Sequence, residues 1–142
     1  MSPSPNQMVA EKVRPIGVSL TSLFFLFGVV ASGLSFLMLL FPGTPLDVLW
    51  HLNPRARESF LGMGSTAVLL MFAVCAACAV AAVGLWRCRR WGYWTAVSML
   101  AINLIGDTIN AFLLQDWRTL IGLPIAGLMI GYLLRQRSIF GS

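Results

Sequence analysis

Residues 16–41 read IGVSLTSLFFLFGVVASGLSFLMLLF, and this stretch decides the fold because it contains no charged side chain. A transmembrane α-helix needs about 20 predominantly apolar residues to cross the hydrocarbon core of a bilayer, and this block is longer. A cleaved signal peptide would have a shorter apolar core, of about 7 to 15 residues. The stretch therefore predicts a retained transmembrane helix.

Three further apolar blocks follow, at residues 60–86, 91–114 and 119–135. The last block is short, so we expect it to reach across by snorkelling of Arg118 or by local thinning of the bilayer. Together the blocks predict an all-α membrane protein, a four-helix bundle over residues 16–137. Residues 1–15 are rich in serine and proline and lack an apolar face, which is typical of a flexible tail.

The composition agrees with a membrane protein, since 58% of the residues are hydrophobic and only 11% are charged. Soluble domains carry about 25% charged residues. The net charge of +5 does not indicate a nucleic-acid partner, because the arginines lie at the ends of apolar blocks and not on one basic face. The three cysteines do not form the framework of a disulfide-stabilised scaffold.

The distribution of lysine and arginine predicts the orientation of the chain. One set of loops and ends carries seven of them and the other carries three. The positive-inside rule places the richer set, and with it both termini, in the cytoplasm. We expect Arg87, Arg89 and Arg90 to contact the headgroups of anionic lipids there. The richer set is Lys12, Arg14, Arg87, Arg89, Arg90, Arg135 and Arg137, and the other is Arg55, Arg57 and Arg118.

The first outer loop, residues 42–59, carries helix signals of its own. Thr44, Pro45 and Asp47 fit the N-cap, N1 and N3 positions of a short helix, whose apolar and aromatic side chains favour the membrane interface. A plain ordered loop is the alternative. Asn53 and Pro54 repeat the signal, so the second transmembrane helix is expected to start within the loop.

Asp107 is the only acidic residue well inside an apolar block. Asn103 and Asn110 lie on the same helical face, at spacings of i, i+4 and i+7. Polar residues of the first two blocks lie at a similar depth, which predicts a polar cluster inside the membrane. The members of this cluster are Asn103, Asp107, Asn110, Ser32, Ser35 and Thr66.

Two interpretations of the cluster stay open. Intramembrane carboxylates often mark ion pathways, so Asp107 favours a small transporter or a proton- or ion-coupled protein. Alternatively, the cluster only joins helices, with Arg118, Arg55 or Arg57 as charge partner of Asp107.

Cys75 and Cys78 form a C-x-x-C pair, which suggests a quinone-linked thiol oxidoreductase as a further alternative. Such enzymes need an accessible dithiol and a second pair that passes electrons on. Here the pair lies near the middle of a predicted span, and only Cys88 remains. His51 is the only histidine, so we predict neither a metal site nor a cofactor.

Gly127 and Gly131 have the G-x-x-x-G spacing that permits close approach of helices. This spacing is compatible with packing inside the bundle and with packing between chains. The expected partners are therefore the lipid bilayer and either a second copy of the chain or a larger membrane complex.

The segments RPIGVSL, LNPRARESF, GLWRCRRWG, NLIGDTINAF and DWRTLIGLPIAG resemble small four-span bacterial inner-membrane proteins to which no activity is assigned. The resemblance covers residues 14–140 and implies the fold and a bacterial inner-membrane location. It implies no activity. The leading interpretation is a non-enzymatic accessory or helix-packing interaction protein.

Overall fold

The computed structural model describes residues 14–113 and 120–140. All regular elements in these ranges are helical and none is a strand, so the all-α prediction is confirmed. Most of the predicted N-terminal tail, together with Arg118, lies outside the described residues. The α-helices are α1 (Ile16–Leu40), α2 (Pro54–Met63), α3 (Ser65–Trp86), α4 (Arg90–Leu113) and α5 (Gly122–Arg135). Two 3-10 helices, Pro45–Leu52 and Arg137–Phe140, complete the described elements.

Three of these helices, α1, α3 and α4, are long and apolar enough to cross a membrane. The fourth apolar helix, α5, has 14 residues. At 1.5 Å per residue it is about 21 Å long, less than the roughly 30 Å of a hydrocarbon core. These helices support the prediction of a membrane protein.

The second predicted helix is divided in two. Its start follows the sequence signals, because the side chain of Asn53 accepts a hydrogen bond from the Ala56 N–H and Pro54 is the first helical residue. Gly64 then interrupts the helix at φ +58° and ψ −132°, a conformation that residues with a side chain rarely adopt. The long apolar helix therefore begins at Ser65, whereas the sequence predicts a span that begins at residue 60.

A tight turn joins α3 to α4. The Arg89 N–H donates to the Gly84 carbonyl at 2.8 Å and the Cys88 N–H donates to the Leu85 carbonyl at 3.0 Å. With Cys88 at φ +50°, these two bonds form a Schellman motif, which is a common end of an α-helix. The turn sends α4 back along α3.

Glycines bring α3 and α4 into backbone contact next to this turn. A Cβ atom on Gly84 would overlap the Cα atom of Gly92, and a Cβ atom on Gly92 would overlap Gly84. At these positions any side chain would force the two helices apart.

Packing is closest at one end of the helices. We call this the basic end. It contains the first residues of α1 and α4 and the last residues of α3 and α5. The opposite end is called the loop end. The packing partners are α1 with α3, α3 with α4 and α4 with α5, whereas α1 meets α5 mainly where the ring of Tyr132 fills the space above Gly17. The buried apolar residues that form one cluster extend from the basic end to the middle of the helices: Val18, Phe25, Cys78, Ala81, Ala82, Leu85, Tyr93, Ala96, Leu100, Ala126, Leu133 and Phe140.

Candidate functional site

Three residues of the predicted polar cluster line one cleft. Ser32 and Ser35 of α1 and Asn103 of α4 face a cavity of about 290 Å³, whose remaining wall includes Cys78 of α3. The cleft is therefore built by three helices. Its three polar side chains belong to the predicted cluster, whereas Asp107, Asn110 and Thr66 do not line it.

The two serine hydroxyls of this cleft are already used within α1. Ser32 donates to the Gly28 carbonyl at 2.6 Å, and Ser35 donates to the Ala31 carbonyl at 3.0 Å. Their oxygen lone pairs stay available as hydrogen-bond acceptors. Together with the amide of Asn103, the cleft can accept a small polar ligand or water, but it holds no carboxylate of its own.

Asp107 faces the start of α5. Its Oδ2 atom lies 2.9 Å from the position that a Cβ atom on Gly122 would occupy. Since Gly122 is the first residue of α5, the carboxylate lies beside the N-terminal end of that helix. This end carries a partial positive charge, which stabilises a nearby anion.

The contact with Asp107 shows where α5 begins relative to α4. Asp107 lies six residues before the end of α4 at Leu113, a distance of about 9 Å along the helix axis. α5 therefore begins well below that end. Pro124 is in its first turn, where the missing N–H costs no helical hydrogen bond.

The other predicted members lie apart from the cleft. Thr66 and Asn110 are exposed, as are Arg55 and Arg57 on α2. Arg118 lies outside the described residues, so an ion pair of Asp107 with this arginine stays a prediction. The structure brings Ser32, Ser35 and Asn103 together, and it places Asp107 against α5 instead.

Cys75 and Cys78 lie in the interface between α1 and α3. The Cys78 sulfur is 3.2 Å from the position of a Cβ atom on Gly28, and the Cys75 thiol donates to the Val29 carbonyl at 3.6 Å. Both thiols are free. They occupy the space of small packing groups, and Cys88 is ten residues further along, about 15 Å at the rise of an α-helix.

A metal site is not formed by the parts of the chain that the structure describes. In residues 14–113 and 120–140, no three histidine, cysteine, aspartate or glutamate side chains come close enough together to hold an ion.

A further cleft between α1 and α5 was not predicted from the sequence. It has a volume of about 680 Å³ and separates α1 from α5, with Gly127, Gly131 and Arg135 on the α5 side. A Cβ atom on Gly127 or Gly131 would have no neighbour within 4 Å. The sequence left open whether the G-x-x-x-G motif packs inside the bundle or against another chain. Within the described residues, the motif faces open space.

A basic cavity of about 490 Å³ lies at the turn between α3 and α4. Arg14, Arg87 and Arg89 line it together with Trp86 and Cys88. The sequence singled out Arg87 and Arg89 for lipid contacts but not Arg14, which reaches the turn from the start of α1. The third predicted lipid contact, Arg90, is exposed at the start of α4 and does not line this cavity.

No protein-family model, curated protein or solved structure matches this chain. The resemblance to small four-span bacterial inner-membrane proteins therefore stays a prediction, and function has to be argued from the residues themselves.

Proposed function

We propose that this chain is a four-span protein of the bacterial inner membrane and works as a non-enzymatic accessory subunit. Its role is to pack transmembrane helices against those of another chain. The observation that carries the proposal is the open cleft between α1 and α5, with two unfilled glycine positions on α5.

The physical argument for helix packing rests on the solvent. In a bilayer, lipid tails are as apolar as leucine, so helices associate through close contact at small residues and through a few polar bonds. Gly127 and Gly131 offer such a surface, and Thr21 on the facing side of the cleft adds a hydroxyl. The Thr21 hydroxyl already donates to the Gly17 carbonyl at 2.8 Å, so it offers the partner only an acceptor. A helix of a second copy is the partner that we favour.

The proposed orientation places the basic end and both termini in the cytoplasm. In the described residues this end carries Arg14, Arg87, Arg89, Arg90, Arg135 and Arg137, and the positive-inside rule then gives its direction. The same arginines would attract anionic lipids. Reporter fusions at residue 142 and within residues 42–59 test this, because they should report opposite sides. Reports from the same side would overturn the four-span proposal.

The association is tested with leucine substitutions in the cleft. Gly127→Leu and Gly131→Leu should convert the assembly in mild detergent to the monomer, measured by analytical ultracentrifugation and native mass spectrometry. Gly106→Leu is the matched control, since its glycine also has no neighbour within 4 Å but lies on α4, away from the cleft. If the wild-type chain is a monomer and copurifies with no other membrane protein, the proposal fails.

A proton- or ion-coupled transporter is the second candidate, and the cleft of Ser32, Ser35 and Asn103 favours it. Asp107 would then act from beside the cleft, at the start of α5. Proteoliposomes with a pH-sensitive dye inside test this reading. A proton flux that Asp107→Asn abolishes, in a variant that stays folded, would favour transport over packing.

A further inference from the structure

The basic cavity next to the turn between α3 and α4 has the chemistry of an anion site. Three guanidinium groups, from Arg14, Arg87 and Arg89, line one space of about 490 Å³. The described acidic residues, Asp47, Glu58 and Asp107, all lie towards the loop end. No ion pair within the described ranges therefore neutralises this cavity.

The three arginines are held in place by different parts of the fold. Arg14 stacks on the indole of Trp86, with its guanidinium carbon 4.2 Å from the ring centroid. Arg87 and Arg89 flank Cys88 in the Schellman turn, whose backbone bonds fix their Cα positions. The cavity is thus assembled from the start of α1 and the end of α3, and not by one flexible segment.

Arg14 carries an unsatisfied hydrogen-bond donor beside the basic cavity. Its Nε atom is buried and has no hydrogen-bond partner within the described residues. Buried donors are rarely left without a partner, because the loss of a water bond is then not offset. Arginine presents its N–H groups in a planar fork that matches the oxygens of a phosphate.

An apolar groove continues directly from the basic cavity. It has a volume of about 430 Å³ between α1 and α3, and Trp86 and Arg87 line both spaces. Leu23, Leu26 and Val83 form much of its wall. The one hydroxyl in the groove, that of Ser22, donates to the Ala82 carbonyl at 2.8 Å, so its hydrogen is already bonded and an acyl chain leaves no donor unsatisfied.

We propose that a single anionic phospholipid occupies these two spaces, with its phosphate between Arg14, Arg87 and Arg89 and one acyl chain in the groove. A free phosphate would satisfy the cavity alone and leave the groove empty. A lipid joins both, because its charged and apolar parts are covalently linked. The tryptophan lies at the junction, where indole rings commonly anchor at the headgroup level of a bilayer.

This inference deepens the proposed contact with anionic lipids and rests on the membrane location put forward above. It depends neither on the direction of insertion nor on association with another chain. A negative result in the lipid test therefore leaves the proposed association untouched, and a negative result in the association test leaves the lipid proposal untouched.

The test is a titration of the full chain, in neutral detergent, with phosphatidylglycerol, read by native mass spectrometry. We expect one tightly bound lipid per chain. Arg14→Gln and Arg87→Gln should each weaken binding by about tenfold, because each removes charge-assisted bonds to phosphate. Arg14→Lys should lie between them and the wild type, since it keeps the charge but loses the fork.

Arg90→Gln is the charge-matched control, because it removes one arginine from the same turn without touching the cavity. It should weaken binding by about fivefold at most, as expected of general electrostatic attraction. An equal loss in Arg90→Gln and Arg87→Gln would overturn the proposal in favour of unspecific attraction.

The groove has its own matched pair, Val83→Trp and Val80→Trp. Both valines lie on α3 and are similarly exposed, at 48% and 44%, but only Val83 lines the groove. Val83→Trp should displace the lipid and Val80→Trp should not. Inorganic phosphate should not compete with the lipid at equal concentration. Competition by inorganic phosphate, together with normal binding to Val83→Trp, would mean that the cavity is a site for free phosphate and would overturn the lipid proposal.

Discussion

The two ends of the packed helices differ in how closely their backbones approach. At the basic end, α3 and α4 touch at Gly84 and Gly92, and the ring of Tyr132 lies directly on Gly17. Phe140 folds back there, with its ring centroid 5.2 Å from that of Tyr93. A polar cleft opens among α1, α3 and α4 near the middle of these helices, and at the loop end α5 begins only at the level of Asp107.

Close contacts between helices stabilise the fold, whereas open clefts leave room for a ligand or a partner helix. Dispersion contacts are individually small, and they add up only where atoms approach within about 4 Å. The basic end has such contacts and should provide most of the stability of the monomer. The polar cleft of Ser32, Ser35 and Asn103 leaves space for a ligand, and the cleft beside Gly127 and Gly131 leaves space for a partner helix.

The largest expected effect comes from adding a methyl group at the closest contact. Gly92→Ala should lower the free energy of unfolding by about 2 to 3 kcal/mol, because the new Cβ atom meets the backbone of Gly84, which cannot rotate away. Unfolding in mixed micelles with increasing sodium dodecyl sulfate would measure this.

The matched control for that substitution is Gly106→Ala, on the same helix but with no neighbour within 4 Å. It should be neutral or stabilising by up to about 1 kcal/mol, since alanine favours the helix over glycine. Equal stability of the two variants would contradict the idea that the basic end is the tightly packed one.

The next effect concerns Asp107 and the start of α5. Asp107→Asn should lower the free energy of unfolding by about 1 kcal/mol, because it removes a charge that the helix end stabilises. A loss of about 3 to 5 kcal/mol would indicate a buried ion pair instead. The same titration in detergent distinguishes the two.

A double-mutant cycle locates the contact of Asp107. Gly122→Ala places a methyl group against the carboxylate, whose Oδ2 atom lies at 2.9 Å from the new Cβ position. The flexible carboxylate can shift, so the cost should be about 0.5 to 1 kcal/mol, and it should vanish in an Asp107→Ala background. Additive losses would show that the two residues do not touch.

Cys88 offers a gain of stability at the basic end. Its φ of +50° costs a residue with a side chain about 1 kcal/mol, and glycine avoids this cost. Cys88→Gly should therefore raise the free energy of unfolding by about 1 kcal/mol, whereas Cys88→Ala should leave it unchanged. Thermal unfolding in one detergent compares the three chains. A destabilised Cys88→Gly variant would mean that the thiol makes contacts worth more than the strain.

Much of the helical architecture could be predicted from the apolar blocks. The first block predicts residues 16–41 and α1 covers Ile16–Leu40, because length and the absence of charge leave few alternatives in a membrane. The start of α2 at Pro54 also follows from local chemistry, since Asn53 caps it. The break at Gly64 does not follow, because a single glycine is tolerated inside many helices.

The candidate site could be predicted only in part. Helical periodicity places Asn103 and Asp107 on one face, and the depth of Ser32 and Ser35 was matched to that of Asp107, but it is Asn103 that lines the cleft with the two serines. Periodicity does not say which neighbour a face meets. The contact of Asp107 with Gly122 depends on where α5 begins, and the stacking of Arg14 on Trp86 depends on how α1 packs against α3.

The smallest expected effect is that of the two cysteines between α1 and α3. Cys75→Ser and Cys78→Ser should each change the free energy of unfolding by less than about 1 kcal/mol, because buried thiols behave as small apolar groups and a serine hydroxyl can bond to a carbonyl of its own helix. A membrane-impermeant maleimide should leave Cys75 and Cys78 unlabelled in sealed vesicles of either orientation, since both lie among packed side chains. Labelling of either thiol would show that a soluble redox partner can reach it. Such labelling, combined with a quinone-reducing activity that Cys75→Ser or Cys78→Ser abolishes, would favour the thiol oxidoreductase over a packing role for this pair.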